Sequence, residues 1–370
     1  MGYHRDAQPY SQVTVFEAEM RRRVWLFLQV TDSIVSWQTG VPRVLSRKIG
    51  DTSFPRNLLD EDFGPTDLTL PPPRPETHLS SRIVYLISIE RVLSITSEIT
   101  DTVSVKSLSY EETITLNQQL EAARDQIPPL LKINTTNPND MMTDQDLDIQ
   151  RFTLEITFQR ARCILHRQYL LTNRSESKYE HFRRICVDSA RRILEYQTDL
   201  FQGIVRQARQ HSRVWFGASM SISNCLTAAM VICFEIIYLS QADQISDSSY
   251  RAELIGLLQS SYEAWRLLPK PSFETSKAAD TIASMLNLVH SDDYDGAICS
   301  SLSHPGSESP GNPSAEAMGT TGIGTFSDML SSDPEFEMFD WVSHPPPSKL
   351  RVYSMEKSTD NKSRASGIVK

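Results

Sequence analysis

Histidines, cysteines and glycine-flanked serines are the side chains of this chain that could do chemistry, and their spacing decides whether they do. Eight histidines (His4, His78, His166, His181, His211, His290, His304 and His344) stand singly. None forms the H-E-x-x-H arrangement that places two imidazoles on one helix face around a metal. His166, followed by Arg167 in a helical stretch, reads as a partly buried structural histidine. Cys163, Cys186, Cys225, Cys233 and Cys299 are far apart, odd in number and without a C-x-x-C pair. That pattern argues against a disulfide framework and a thiolate zinc site, and points to a reducing compartment. Gly217-Ala-Ser219-Met-Ser221 begins like a nucleophile elbow, but Ser221 stands where the turn needs its second glycine, inside a helical run. Ser219 therefore reads as a helix-packing residue. No Gly-Lys-Ser/Thr exists for a phosphate loop, and Gly322-Ile-Gly324 lacks the third glycine and preceding strand of a dinucleotide fingerprint. With no converging set of catalytic groups, no enzyme activity, cofactor or metal site is expected.

Charge is distributed more informatively. From Phe326 to Trp341 five acids (Asp328, Asp333, Glu335, Glu337, Asp340) interleave with Phe326, Met329, Leu330, Phe336, Met338, Phe339 and Trp341, with no base among them. Like charges keep such a segment from collapsing and leave its aromatics available to a partner groove, where it would order as a short amphipathic helix. Phe326, Leu330, Phe336, Phe339 and Trp341 are the candidate anchors; docking back on the chain's own surface is the alternative. Arg21-Arg22-Arg23, flanked by acids, reads as a solvated helix face with one arginine in a structural ion pair. Arg183-Arg184 and Arg191-Arg192 read the same way. The basic C-terminal stretch, with Lys349, Arg351, Lys357, Lys362, Arg364 and Lys370, is a weak nuclear-localisation candidate.

The elements that must carry these residues are helical. Among 370 residues there are only 14 glycines, five of them between Gly306 and Gly324. Tightly turned β-architectures consume glycine, so the preceding chain reads as all-α. Over 16–35, Phe16, Met20, Val24, Phe27, Leu28, Thr31 and Val35 share one face, and Gly40-Val41-Pro42 stops the helix. A proline-rich loop follows over 53–76. Further helices are expected over 79–99, 110–126, 145–171 and 179–209. In the first of these, β-branched residues leave a strand open but the stepping favours helix. The apolar stretch 214–239 is long enough to span a bilayer. Its Glu235 and its serines favour a buried central helix instead. Helices over 250–268 and 275–289 close the body. Of the 23 residues from Ser303 to Thr325, 15 are Ser, Thr, Gly or Pro, the composition of a flexible linker. A formal net charge of −9 argues against a chain that coats nucleic acid through its overall field.

An ordered set of motifs resembles the regulatory middle homology domain of fungal zinc binuclear-cluster transcription factors. It begins with Gly2-Tyr3-His4-Arg5-Asp6, Phe16-Glu-Ala-Glu-Met-Arg-Arg-Arg-Val-Trp25, Asp32 and Gly40-Val41-Pro42-Arg43. It continues with Pro55-Arg-Asn57-Leu-Leu-Asp60, Ile164-Leu-His166-Arg167-Gln-Tyr169-Leu170, Cys186-Val-Asp-Ser-Ala190-Arg-Arg-Ile-Leu194 and the apolar helix from Leu226 to Leu239. The resemblance implies an all-helical regulatory domain, sometimes responsive to metabolites. Within it Trp25 would be buried while one of Arg21, Arg22 and Arg23 pairs with a carboxylate such as Asp32. DNA recognition in that family comes from an N-terminal cluster of six cysteines holding two zinc ions. These residues contain no such cluster, so no zinc cofactor is expected and DNA contact is expected only indirectly. Because Met1 falls at the edge of the first motif, the domain is expected to be truncated at its N-terminus, leaving apolar surface exposed on its first helix.

The resulting expectation is a nuclear transcriptional regulator acting on RNA polymerase II transcription through protein–protein contacts, with a metabolic pathway as its target. It comprises a regulatory domain at 1–290, a linker at 291–325, an acidic–aromatic activation segment at 326–341 and a basic polar tail at 342–370, with the C-terminal region disordered. Its partners would be the transcription machinery or a DNA-binding protein, with no membrane association. The alternative is a metabolite-sensing or dominant-negative helical partner, taking a small-molecule effector and lacking transcriptional output of its own.

Overall fold

Helix-forming periodicity carries through most of the chain whose structure is described. The computed structural model describes residues 2–6, 13–39, 42–45, 50–75, 82–133, 145–171, 176–206, 211–241, 248–267 and 273–290. Among these residues every regular element is helical and there is no strand. The segments assigned to linker, activation segment and basic tail lie outside the described residues, as does Gly40.

The first helix, α1 (Val15–Thr39), is started by a reciprocal cap. The Glu17 N–H donates to Thr14 Oγ1 (3.1 Å) and the Thr14 N–H to Glu17 Oε2 (3.2 Å), which satisfies two donors at the helix start. Next comes α2 (Arg82–Val103), where the β-branched composition left a strand open. The hydroxyls resolve it: Ser88 donates to the Val84 carbonyl and Thr96 to that of Val92, both at 2.8 Å, inside the helix's own backbone. Of the face that its stepping marks, Ile83, Ile89, Leu93, Thr96 and Ile99 are buried and Leu86 is partly buried, while Leu79 lies outside the described residues. A capping box of Ser109 and Glu112 opens α3 (Tyr110–Asp125). Pro128 and Pro129, at the 3-10 turn Pro129–Leu131, prevent it from continuing.

The stretch expected as one helix over 145–171 is two, α4 (Gln145–His166) and α5 (Gln168–Leu171), broken at Arg167. The side-chain amide of Gln168 accepts from the Leu108 N–H (3.2 Å) and donates to the Leu108 carbonyl (3.3 Å), tying the break to the start of α3. The remaining helices are α6 (Glu180–Arg206), α7 (His211–Gln241), α8 (Ser248–Arg266) and α9 (Phe273–His290).

Two apolar cores form. Leu26 and Val30 of α1, Ile89 and Leu93 of α2, Leu116 and Leu120 of α3, and Phe158 and Leu165 of α4 make the first. The second joins Ile193 and Phe201 of α6, Ala228 to Ile232 of α7, Leu258 and Trp265 of α8, and Ile282 and Met285 of α9. Helix α4 serves both, because Cys163 points into the second core. There the Cys163 and Cys186 thiols each lie 3.6 Å from the other residue's carbonyl oxygen. Burial pushes the Cys186 thiol well above its ordinary range. Among the described residues one stretch, Ile222–Ser240 of α7, is long and apolar enough to cross a membrane by length and composition. It occupies the middle of the second core, where α6, α8 and α9 pack on it.

Candidate functional site

The N-terminal motifs that sequence resemblance picks out, in residues 2–6, 16–25 and 55–60, converge on the inward face of α1. Residues Glu19, Trp25, Leu26, Val30 and Ser33 are buried there. Arg22 and Arg23 are only 12% and 10% exposed at their side chains, so the triple-arginine run is not the solvated face its flanking acids suggested. Arg22 grips Asp6 through two bonds, Nη2 to Oδ1 at 2.8 Å and Nε to Oδ2 at 3.3 Å, a fork geometry that lysine cannot supply. Arg23 donates to Asp60 Oδ1 (2.5 Å) and to the Leu58 carbonyl (2.7 Å), with the Phe63 ring 4.7 Å from its guanidinium carbon. Arg21 is turned onto the Tyr3 ring at 5.8 Å.

Glu19 sits among these cations with no exposed surface. Its Oε1 accepts the Arg56 N–H at 3.0 Å, and Arg23 and Arg22 approach at 3.6 and 3.9 Å. Burial raises its carboxyl above the ordinary range; Arg23, the Arg56 N–H and Arg22 only partly offset this. Trp25 is buried as expected, against His4 at 6.2 Å between ring centroids. The segment 2–6 is laced to 50–53: the Asp51 N–H donates to the His4 carbonyl, the Thr52 hydroxyl to that of Tyr3, and the Ser53 N–H to Asp6 Oδ2. Gly50 is needed for the close approach, since a Cβ there would stand 2.9 Å from the His4 oxygen and 3.1 Å from the Trp25 ring.

Asp32 has a different job from the one the motif suggested. No arginine of the run reaches it; its carboxylate accepts the N–H groups of Val44 (3.1 Å) and Leu45 (2.9 Å), folding back the chain that leaves α1 past Pro42. A backbone-directed carboxylate leaves no trace in spacing, which is why the sequence did not give it away. The proline-rich loop is likewise a built element. Arg74 forks onto Asp62 at 2.6 Å twice, holding that carboxyl below its usual range, and Asn57 exchanges bonds with the Arg74 backbone.

His166 is wholly buried: its Nε2 is 3.0 Å from Asn117 Oδ1, and its ring stacks on Phe182 at 5.1 Å. Burial, with Arg162 and His181 adding repulsion, pushes its pKa down to about 3. Such a neutral imidazole is structural. Ser219 lies within α7, a helix and not a strand-to-helix turn. Arg184 pairs with Glu180, and Arg191 with Glu195 and Glu253, as solvated helix faces do. Phe326, Leu330, Phe336, Phe339 and Trp341 lie outside the described residues.

Among the described residues no group of three His, Cys, Asp or Glu side chains could hold a metal. Cys163, Cys186, Cys225 and Cys233 are buried in the helical core. They do not fit the six-cysteine zinc cluster that the resemblance would bring. What the inward face of α1 does chemically is hold the N-terminal motif, the loop and the first core together.

One sequence feature turned out opposite to its simplest reading. The face of Met20, Val24, Phe27, Leu28, Thr31 and Val35, which a soluble helix would bury, is the exposed one, and its five apolar members are between 37% and 56% exposed. Only Phe16, packed on Phe63 at 5.5 Å, is covered at its start.

Comparison with known proteins agrees with the motifs. Residues 1–160, which cover α1 to α3 and most of α4, match the model of the fungal specific transcription factor domain. The Zn(2)-C6 fungal-type transcription factor mpsB of Macrophomina phaseolina is 32% identical over 294 residues, 77% of this chain and 40% of that protein. Transcription factor phm2 of Pyrenochaetopsis sp is 30% identical over 379 residues, 100% of this chain and 48% of that protein. The Equisetin cluster transcription factor eqxF of Fusarium heterosporum is 29% identical over 364 residues, 96% of this chain and 51% of that protein. The chain thus spans about half the length of these relatives or less. No solved structure matches it. The relatives are named as transcription factors and not as enzymes, and the chain is similar to the fungal specific transcription factor family, resembling the regulatory middle homology domain of its zinc binuclear-cluster members.

Proposed function

We propose that this chain regulates RNA polymerase II transcription of a biosynthetic gene cluster, acting in the nucleus through protein–protein contacts. The observation that carries the reading is the division of labour on α1. Its charged motif is consumed in holding the domain together, through Arg22–Asp6, Arg23–Asp60 and the buried Glu19, while an apolar face is turned outward. A domain built this way offers a contact surface, not a reaction centre. The name of the Equisetin cluster relative supports a biosynthetic cluster as the target. In this reading 326–341 contacts the transcription machinery through Phe326, Leu330, Phe336, Phe339 and Trp341. Deleting the coding region in its host and sequencing transcripts tests the proposal. A coordinated change in one set of biosynthetic genes supports it, and an unchanged transcript profile under producing conditions refutes it.

A second reading, the metabolite sensor, is favoured by Arg160. Its guanidinium lies 4.2 Å from the Trp37 ring and donates to Ser223 Oγ (2.9 Å) and Asn224 Oδ1 (2.8 Å), while its enclosed Nε has no partner. Burial pushes it down to about 9, and no carboxylate among the described residues compensates it. An anionic effector would bind there. Thermal shift of the chain against a panel of carboxylates and phosphates separates the readings, because a ligand at about 100 times its Kd adds about 2.7 kcal/mol. No shift with any anion removes the sensor reading.

A further inference from the structure

Arg160 is held by one corner of its guanidinium only. Its Nη1 donates to both Ser223 Oγ and Asn224 Oδ1, which uses both hydrogens of that nitrogen. The opposite edge, Nε and Nη2, meets no acceptor among the described residues, and Nε is enclosed. Trp37, whose ring lies 4.2 Å from the guanidinium carbon, carries a second enclosed donor without a partner, its indole Nε1. Enclosed donors left unpaired are uncommon in folded chains, because each has lost its water and gained nothing. Two of them on one stacked pair, beside an uncompensated cation, mark a place for an acceptor that the described residues do not supply. We propose that the Nε–Nη2 edge of Arg160, with the Trp37 indole N–H, receives the carboxylate of a small organic acid at the seam between the two apolar cores. The assignment rests on the metabolite-sensor reading of the chain, and narrows it to one ligand class and one set of donors.

Three features select a carboxylate. The Nε–Nη2 edge presents two parallel N–H groups, a spacing that the two oxygens of a carboxylate match. Charge agrees, since the partners at Nη1 are neutral and Arg167 adds repulsion, which leaves the guanidinium without a counter-charge among the described residues. Phosphate could use the same fork, but phosphate sites draw on free backbone N–H groups at helix starts. Here Arg160 lies inside α4, and Ser223 and Asn224 lie inside α7. Trp37 sits in the last turn of α1, where the free backbone groups are carbonyls that repel a dianion. The site reaches solvent, because Trp37, Arg160 and Ser223 are each only partly buried. Trp37 packs on the first core and Asn224 adjoins Cys225 of the second. An acid bound between them would tie α1 to α4 and α7 and stabilise the seam.

The test uses the full chain with benzoate, hexanoate and inorganic phosphate at matched ionic strength. Benzoate or hexanoate should raise the thermal midpoint saturably, and phosphate should not. With isotope-labelled tryptophan, the indole N–H resonance that is missing from Trp37→Phe should move as the acid is added. Trp37→Phe keeps the ring beside Arg160 but removes the N–H, and should weaken binding about tenfold. Arg160→Lys keeps the charge but loses the fork, and should weaken binding about 100-fold. Circular dichroism checks that each variant is folded, and either one suffices if the other is not. A midpoint that rises with phosphate alone overturns the carboxylate assignment and leaves the sensor reading standing. An acid that binds both variants as tightly as the parent chain, or leaves the Trp37 resonance unmoved, puts the sensor site elsewhere and equally overturns the assignment. No response to any of the three overturns it too, and the sensor reading falls with it only if the wider anion panel is also silent.

Discussion

Removing the Arg22 side chain should do more damage than removing any other arginine of the run. In the folded chain its fork holds Asp6 at 2.8 and 3.3 Å, and its Nη1 is 3.9 Å from Glu19. All three side chains are nearly enclosed, with 12%, 13% and 0% exposure for Arg22, Asp6 and Glu19. Arg22→Ala therefore takes the forked cation from Asp6 and one of two flanking cations from Glu19, carboxylates that cannot be hydrated without opening the structure. Breaking a buried pair from one side costs about 3–5 kcal/mol. The slight exposure and the Ser53 N–H that still bonds Asp6 place this site at the lower end, about 3 kcal/mol. Arg5, paired with Asp51 where both side chains are 60% exposed, is the internal control, with an expected cost of about 0–1 kcal/mol. Urea unfolding followed by circular dichroism measures both, and a double-mutant cycle with Asp6→Ala isolates the pair. If Arg22→Ala costs no more than Arg5→Ala, the inward clamp is not what holds the N-terminal motif.

Further expectations follow from other contacts. Glu19 has a raised pKa, so the folded state holds its proton above the ordinary 4.5 while the unfolded chain releases it. Its contribution to stability is thus present at low pH and lost as pH rises from 4.5 through the raised value, and Glu19→Gln should abolish that loss in urea titrations across pH. His166 acts in the opposite sense. With a pKa near 3 in the folded chain against 6.5 unfolded, it costs stability as pH falls below 6.5 toward 3. The slope approaches 1.4 kcal/mol per unit at most, and should be missing from His166→Gln. Gly50→Ala forces a Cβ to 2.9 Å from the His4 carbonyl, so it should lower the thermal midpoint and raise protease sensitivity of the N-terminal segment. Ser109→Ala removes the cap that accepts the Glu112 N–H at 3.2 Å and should cost about 1 kcal/mol in urea unfolding.

Much of this architecture was legible in the sequence, because steps of three and four define which residues share a helix face. Ile83, Ile89, Leu93 and Ile99 read as one buried face and are one. Periodicity does not say which way a face turns. On α1 the direction is set by carboxylates remote in sequence, Asp6 and Asp60, which draw Arg22 and Arg23 inward and leave Phe27 and Leu28 outside. The break at Arg167 was equally hidden, since no glycine or proline marks it and its anchor, Leu108, is 60 residues from Gln168. Asp32 was expected to meet an arginine because pairing is the commonest use of a carboxylate near arginines; backbone donors at Val44 and Leu45 took it instead.

The most direct test of the central claim tethers the full chain to a heterologous DNA-binding domain upstream of a reporter in a fungal nucleus. The account predicts a change in reporter transcription that is lost when Phe336, Phe339 and Trp341 are replaced by Ser. A tethered chain that is expressed, nuclear and folded, yet leaves transcription unchanged, would contradict it.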